Sequence, residues 1–259
     1  MIYGDDNRTD LFQISDPSLL ALADSTVPLM EGSKLQLQSS GRYTLAKANL
    51  GTDMNLCSSE RFRDQPDSAF CSGSLVGPDL VLTAGHCIPD ATACSTTKFV
   101  FGFAVKAQGV NPSTIEASEV YSCVEVLHTQ AIAAGADFAV VRLNKTVPNH
   151  KPLAVNSGAG LNNGDDIFVI GNPVGLPTKI AGGAQVRSNA SPDFYVTNLD
   201  TYGGNSGSAV FNSRTGLIEG VLVRGEQDFI SNGSCNISNV CAAGACRGED
   251  VTRIAKVLP

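Results

Sequence analysis

From Phe70 onward, hydrophobic and polar positions alternate along a succession of short runs. SGSLVG, DLVLTAG, TKFVFGFAVKA, EVYSCVEVLH, DFAVVRL, DIFVIG, DFYVTNL, GSAVFN and GLIEGVLVRG follow one another, rich in Val, Ile, Phe and Tyr. Each is bounded by Gly, Pro, Asn, Asp or Ser, the residues of turns, and a period of two marks a strand with one buried face. Helical character is confined to DPSLLALAD (Asp16 to Asp24) and to VTRIAKVL at the tail, which predicts one short amphipathic helix. The first 65 residues are otherwise irregular. Many short strands with turns between them predict an all-β barrel or sandwich. TVPNHKPLAVNSGAG (Thr146 to Gly160) lacks strand character and reads as a linker between two β units of similar size. A cleft between two such units is the default place for chemistry.

Composition narrows the function classes. The chain has 259 residues, 42% of them hydrophobic, enough to fill a substantial core. No apolar run approaches the roughly 18 residues of a membrane-spanning helix, so no membrane insertion is expected. The net charge is −7 and no Lys/Arg cluster exceeds a pair, which argues against nucleic acid or an anionic membrane as partner. The start, MIYGDDNRTD, has no basic stretch followed by an apolar one, and the favoured reading is that a precursor's leader is missing. Eight cysteines are dispersed with no C-x-x-C, and His86, His128 and His150 are scattered, so no metal and no cofactor are expected. Dispersed cysteines in such a chain read as structural disulfides and an oxidising compartment, extracellular or periplasmic, with reduced buried thiols as the alternative.

Three segments carry candidate chemistry. CSGSLVGPDLVLTAGHC (Cys71 to Cys87) reads as two strands joined by a Gly-Pro-Asp turn, ending in a small-residue turn that presents His86. ADFAVVRL places Asp137 at the head of an apolar strand, and DTYGGNSGSAVF places Ser206 in a glycine-rich turn that opens into a strand. Glycines around a serine let backbone N–H groups converge on one point. Taken singly, each residue has an ordinary reading as a turn or surface group. An α/β-hydrolase is a poor competitor, because its nucleophile elbow needs G-x-S-x-G where Ser208 occupies the last position here, and its triad order starts with the serine.

Together the segments resemble the chymotrypsin-like serine proteases, and most closely the bacterial glutamyl-endopeptidase (V8-like) branch. TAGHC is similar to the family's histidine motif, ADFAVVRL to its aspartate motif and GGNSGS to its nucleophile motif, in the family's order and 51 and 69 residues apart. The resemblance implies an all-β fold of two antiparallel six-stranded β-barrels packed face to face, with the short C-terminal helix following. It divides the chain into an N-terminal segment packing on the barrels (1–65), a first barrel with His and Asp (66–148) and a second with the nucleophile (149–259). The implied catalytic residues are His86, Asp137 and Ser206, with the N–H groups of Gly204 and Ser206 as oxyanion hole. It also implies a Cys71–Cys87 disulfide, whose loop of about 17 residues contributes roughly 3 kcal/mol in the chain-entropy account. Cys94–Cys123 is suggested by neighbouring β runs, while Cys57, Cys235, Cys241 and Cys246 can pair in three ways.

The sequence also departs from the family. Asn205 stands where trypsin-type enzymes have an aspartate that pairs with a newly cut N-terminus, so that activation route is closed. A propeptide ahead of residue 1, with Met1 as a replacement for the residue exposed by processing, is the expectation. Val223, Arg224 and Gly225 match the strand edge that pairs with substrate. Leu222 stands where glutamyl endopeptidases carry a substrate-binding His, and Tyr202 near the specificity wall departs from the branch's usual Thr, so no preferred residue at the cleavage site is assigned. Arg224 is a candidate positive charge for the cleft, with a solvated side chain as the alternative. The acidic GDD and GEDV stretches read as solvated turns, with calcium binding as the alternative. The expected protein is a secreted, monomeric serine endopeptidase acting on proteins or peptides. The rivals are a non-catalytic binding or adhesion protein on the same scaffold and an enzyme with one narrow target.

Overall fold

In the computed structural model, which describes residues 1–242 and 244–257, the alternating runs become the strands of two closed barrels. The first runs Val120–Ala131, Asp137–Leu143, Leu80–Thr83, Cys71–Leu75, Thr26–Glu31, Thr97–Val100 and back to Val120–Ala131, antiparallel throughout. The second runs Asp166–Gly171, Ala209–Asn212, Ile218–Arg224, Glu249–Arg253, Phe194–Thr197, Lys179–Ser188 and back to Asp166–Gly171, also antiparallel. Arg8–Asp10 adds a further strand against Lys179–Ala181. Closure gives every strand of each barrel a neighbour on both sides over at least part of its length. No described helix is long and apolar enough to cross a membrane.

The strand Asp166–Gly171 shows how the barrels join. Ile167 and Val169 point into the second barrel with Leu222 and Val251. Phe168 and Ile170 point the other way, into a cluster that contains Phe211 and Val221 together with Leu75 and Val81 of the first barrel. With both faces buried, the strand reads in the sequence as the unbroken apolar run DIFVIG. The Phe168 and Phe211 rings stack with centroids 4.9 Å apart.

Several elements differ from the sequence reading. Thr26–Glu31, in the segment set outside the first barrel, is one of its six strands, pairing Thr26 with Ser74 and Leu29 with Cys71 and Phe99. At the C-terminus, VTR belongs to a barrel strand, and the described residues show only a 3-10 turn, Ile254–Lys256, in place of the amphipathic helix. The GED run is not a solvated turn: Glu249 and Asp250 open that strand and are buried. The Pro17–Asp24 helix does form, capped by Asp16, whose carboxylate accepts from Ser18 N, with Pro17 at its first position. The linker is anchored by His150, whose ring stacks on Phe101 while its nitrogens lie 2.8 Å from Asp24 Oδ2 and 2.6 Å from Glu119 Oε2. All eight cysteines are paired, as Cys71–Cys87, Cys94–Cys123, Cys57–Cys235 and Cys241–Cys246. Of these, Cys57–Cys235 ties the irregular N-terminal segment to the Phe229–Ser238 hairpin.

One carboxyl sits badly in this fold. Burial pushes Asp67 up to about 6, and the neighbouring Asp53 carboxylate adds to the rise. Its Oδ1 is buried with no hydrogen-bond partner. Between about pH 4 and 6 the folded chain holds a proton that the unfolded chain has released, so stability falls as pH rises through that window. Solvent screening of this partly exposed group limits the deficit to about 1 kcal/mol above pH 6. Asp67→Asn, which cannot ionise, is expected to raise Tm by roughly 2–4 °C at pH 7.5 and by nothing at pH 4, measured by thermal denaturation at the two pH values.

Candidate active site

The strand Leu80–Thr83 ends in the turn that presents His86, and Asp137 opens the antiparallel neighbour of that strand. The two residues are joined by more than their side chains. Asp137 Oδ2 lies 2.7 Å from His86 Nδ1, while Oδ1 accepts from the backbone N–H of Gly85 at 2.7 Å and of His86 at 3.1 Å. Asp137 is buried, so its carboxylate orients the turn and the ring together. With Nδ1–H donated to Asp137, the network assigns the lone pair to Nε2.

Ser206 reaches this place from the second barrel. Its carbonyl accepts from Ser72 N at 2.8 Å and lies 3.7 Å from Cys87 Sγ, beside His86. Gly207 follows with φ +89°, and its N–H donates to Leu222 O at 2.7 Å. A Cβ at Gly207 would overlap Ser72 O and Thr83 Oγ1, so only glycine lets the serine turn press this closely on the first barrel. Ser206 Oγ makes no hydrogen bond to His86 among the described residues.

The glycines before Ser206 set the direction of the N–H groups. Gly203 O accepts from Val174 N, Gly203 N donates to Asp228 Oδ2 at 2.7 Å, and Gly204 O accepts from Ser72 Oγ at 2.8 Å. In a trans peptide the C=O and N–H point in opposite directions. With Gly203 O turned to Val174, the Gly204 N–H therefore points away from the Asn172–Gly175 turn. Neither Gly204 N nor Ser206 N has an acceptor among the described residues. Gly204 has φ +84°, and a Cβ there would meet Asn172 O at 2.8 Å. Val174 itself holds φ +46°, which costs a β-branched residue about 1–3 kcal/mol and places strain directly behind this turn.

Beside Ser206 lies a cavity of about 200 Å³, lined by Tyr202, Gly203, Asp228, Glu249 and residues 222–226. The residues expected at the substrate are therefore gathered here, though not all in the expected manner. Tyr202 is a wall, its hydroxyl donating to Ser238 Oγ at 2.6 Å and its ring under the Arg8 guanidinium at 4.1 Å. Leu222 and Val223 are buried, and the pairing of their strand with Ala209–Asn212 stops at Val221, leaving Val223 to Gly225 unpaired by that neighbour. Arg224 does not offer its charge to the cavity. Its Nε lies 3.1 Å from Asp250 Oδ2, and its other nitrogens donate to Ile132 O and Gly135 O. The Met1 ammonium is buried against Thr201 O and Asp228 Oδ1, the latter at 2.8 Å. Burial pushes the Glu249 carboxyl up, opposed by that ammonium and by hydrogen bonds from Thr201 and Tyr3.

Cys71, His86 and Cys87 bring three ligand-type atoms within 4.8 Å of one another, but both sulfurs are committed to one disulfide and offer no thiolate. His128 and His150 lie apart from the site, the first edge-on to Phe138 and the second in the linker. The sequence reading missed the supports of the site. Ser72 and Asn172 hold the serine turn, and Thr252 Oγ1 accepts from Asp137 N at 3.1 Å and donates to Asp137 O at 2.9 Å. Their signal is slight, a small polar residue inside an apolar strand or beside its end.

The trypsin-like peptidase domain matches residues 71–221. Among solved structures, the chain is similar to a Glu endopeptidase in complex with MPD, with TM-score 0.57 and 19% identity over 99% of this chain and 96% of that one. It is also similar to the Rv3671c protease in an inactive form, with TM-score 0.52 and 14% identity over 99% and 96% of the two chains. A further structure of Rv3671c, from M. tuberculosis H37Rv, gives TM-score 0.51 at 14% identity over 98% and 92%. These are likenesses of fold. No curated protein matches the chain.

Thr252 is a support that can be removed without changing shape. Thr252→Val withdraws a partner from both the N–H and the C=O of buried Asp137, and is expected to cost about 1–3 kcal/mol in urea denaturation, with Thr252→Ser recovering most of it.

Proposed function

The chain belongs to the trypsin-like peptidase family, and from that premise we propose that it is a secreted serine endopeptidase of the V8-like branch, with Ser206 as nucleophile. The observation that carries this reading is the convergence at the barrel seam. A histidine oriented by a buried carboxylate 2.7 Å from Nδ1 stands beside a serine turn whose Gly204 and Ser206 N–H groups have no acceptor. Asn205 and the GGNSGS run favour the V8-like branch over the trypsin type. Four disulfides favour an oxidising compartment.

In this mechanism a protein or peptide substrate adds an extended segment to the unpaired edge at Val223 to Gly225. Ser206 Oγ attacks the scissile carbonyl carbon and its proton passes to His86 Nε2. The N–H groups of Gly204 and Ser206 receive the developing oxyanion, each donor contributing about 3 kcal/mol to the barrier reduction. Asp137 stabilises the imidazolium and holds its ring. The imidazolium gives the proton to the departing amine, the C–N bond breaks, and an ester to Ser206 remains. Water, deprotonated by His86, then hydrolyses that ester and restores the serine. The absence of a Ser206 Oγ–His86 hydrogen bond in the free enzyme suits a bond that forms only with substrate bound.

Cleavage of a proteome-derived peptide library by the wild type and by Ser206→Ala tests the reading. Cuts present in the first and absent in the second are expected. Asp137→Asn should lower kcat by about 10⁴, and the His86→Ala/Ser206→Ala double variant should be no slower than either single one. Cuts that persist in Ser206→Ala, or none from the wild type, would overturn the proposal, the second result in favour of a binding protein on the same scaffold.

A further inference from the structure

The cavity beside Ser206 is lined by three carboxylates, those of Glu226, Asp228 and Glu249. Two cations stand near it, one turned away and the other paired with Asp228 alone of the three. Arg224 is turned outward to Asp250 and to the carbonyls of Ile132 and Gly135. The Met1 ammonium is held by Asp228 and Thr201 O. Glu226 and Glu249 make no ion pair to a basic side chain among the described residues.

Resting on the serine-protease reading above, we infer that this cavity selects a lysine or arginine side chain on the residue whose carbonyl is cut, with Glu249 holding its charge. Glu249 is only 3% exposed, and its oxygens are fixed by neutral donors: Tyr3 Oη at 2.8 Å, Thr201 Oγ1 at 2.8 Å and Glu226 N at 3.3 Å. These bonds aim the carboxylate without neutralising it, and a buried carboxylate in that state is stabilised by an incoming cation. A Cβ at Gly225 would overlap Glu249 Oε2, so the absence of a side chain there lets the carboxylate reach the cavity wall. Tyr202, Leu222 and Val223 supply apolar surface for the methylene stem of a long cationic side chain. A glutamate side chain in the same space meets the Glu226 and Glu249 carboxylates, which have no basic side-chain partner, while Asp228 is already paired with the Met1 ammonium. The acidic preference in the name of the structurally similar Glu endopeptidase therefore does not carry over to this chain.

The test uses peptides that differ only at the residue before the cut, with Lys, Arg, Met, Gln or Glu there, and Ser206→Ala as control. We expect kcat/KM for Lys to exceed that for Met, its uncharged near-isostere, by about tenfold or more, with Glu the slowest. Glu249→Gln should lower the Lys and Arg values by about 10–100-fold and bring the Lys-to-Met ratio of kcat/KM to about one. Should Glu249→Gln not fold, benzamidinium binding to the Ser206→Ala protein, followed by calorimetry and displaced by the Lys peptide, keeps the question open to decision. Ser206-dependent cleavage that favours Met or Glu, a Lys-to-Met ratio unmoved by Glu249→Gln, or no benzamidinium binding overturns the inference and leaves the protease reading intact. Absence of any Ser206-dependent cleavage overturns both.

Discussion

Asp137 is the constraint on which the rest of the site depends. Its carboxylate takes three N–H donors from Gly85 and His86, so the position of one strand head fixes the histidine turn and the ring. Its own main chain is held by Thr252 of the second barrel, and the hairpin just before it by Arg224, again from the second barrel. The barrel that carries His86 is therefore registered against the barrel that carries Ser206 through the residue that orients the imidazole. Two packed barrels alone would allow small slips along an apolar seam. Directional bonds at buried polar groups do not, because each slip would leave a donor or acceptor unpaired at about 1–3 kcal/mol.

The N-terminal segment completes the wall of the cavity by a different kind of force. Arg8 forms a two-point pair with Asp6 and lies over Tyr202, while Lys179, fully buried, meets Asp10, Gln65 and Pro177 O. Burial pushes the Lys179 ammonium down to about 8 against the pull of Asp10. Such a pair is weak evidence for stability, because desolvation consumes most of the Coulombic gain, and strong evidence for placement, because breaking it strands a charge. It sets the register of Arg8–Asp10 on the second barrel and so the position of the ring that walls the cavity.

What was legible in the sequence follows the same division. Strands buried on one or both faces, such as Asp137–Leu143 and Asp166–Gly171, carry their pattern in consecutive residues and were read correctly. Thr26–Glu31 was not, because Pro28 argues against a central strand, yet Pro28 pairs with Ser72 inside the closed barrel. The run TKFVFGFAVKA looked like one strand, but ladder pairing ends at Val100 while Phe101 and Phe103 stay buried as irregular chain. Burial alone cannot tell these apart. The His86, Asp137 and Ser206 neighbourhoods were legible because local glycines and small residues surround each. Thr252, Asn172 and Ser72 were not, since each acts on a segment at least 100 residues away.

The charge of the cavity is a product of this architecture. Arg224 bridges the barrels, Arg8 and Arg61 hold the N-terminal segment, and Arg187 donates to Cys246 O beneath its contact with Tyr3. Each cation near the cavity is thus used to fix a wall, and the carboxylates of Glu226 and Glu249 face the space without a basic side-chain partner. Changing the sign of the pocket would require more than replacing one acidic residue, because the Glu249 oxygens also receive Tyr3 and Thr201 and so help to seat the chain's first strand. Selectivity and the docking of the N-terminal segment are consequently coupled through one buried carboxylate. A residue placed there for charge alone would be free to vary, whereas one that accepts three hydrogen bonds from three separate segments is not.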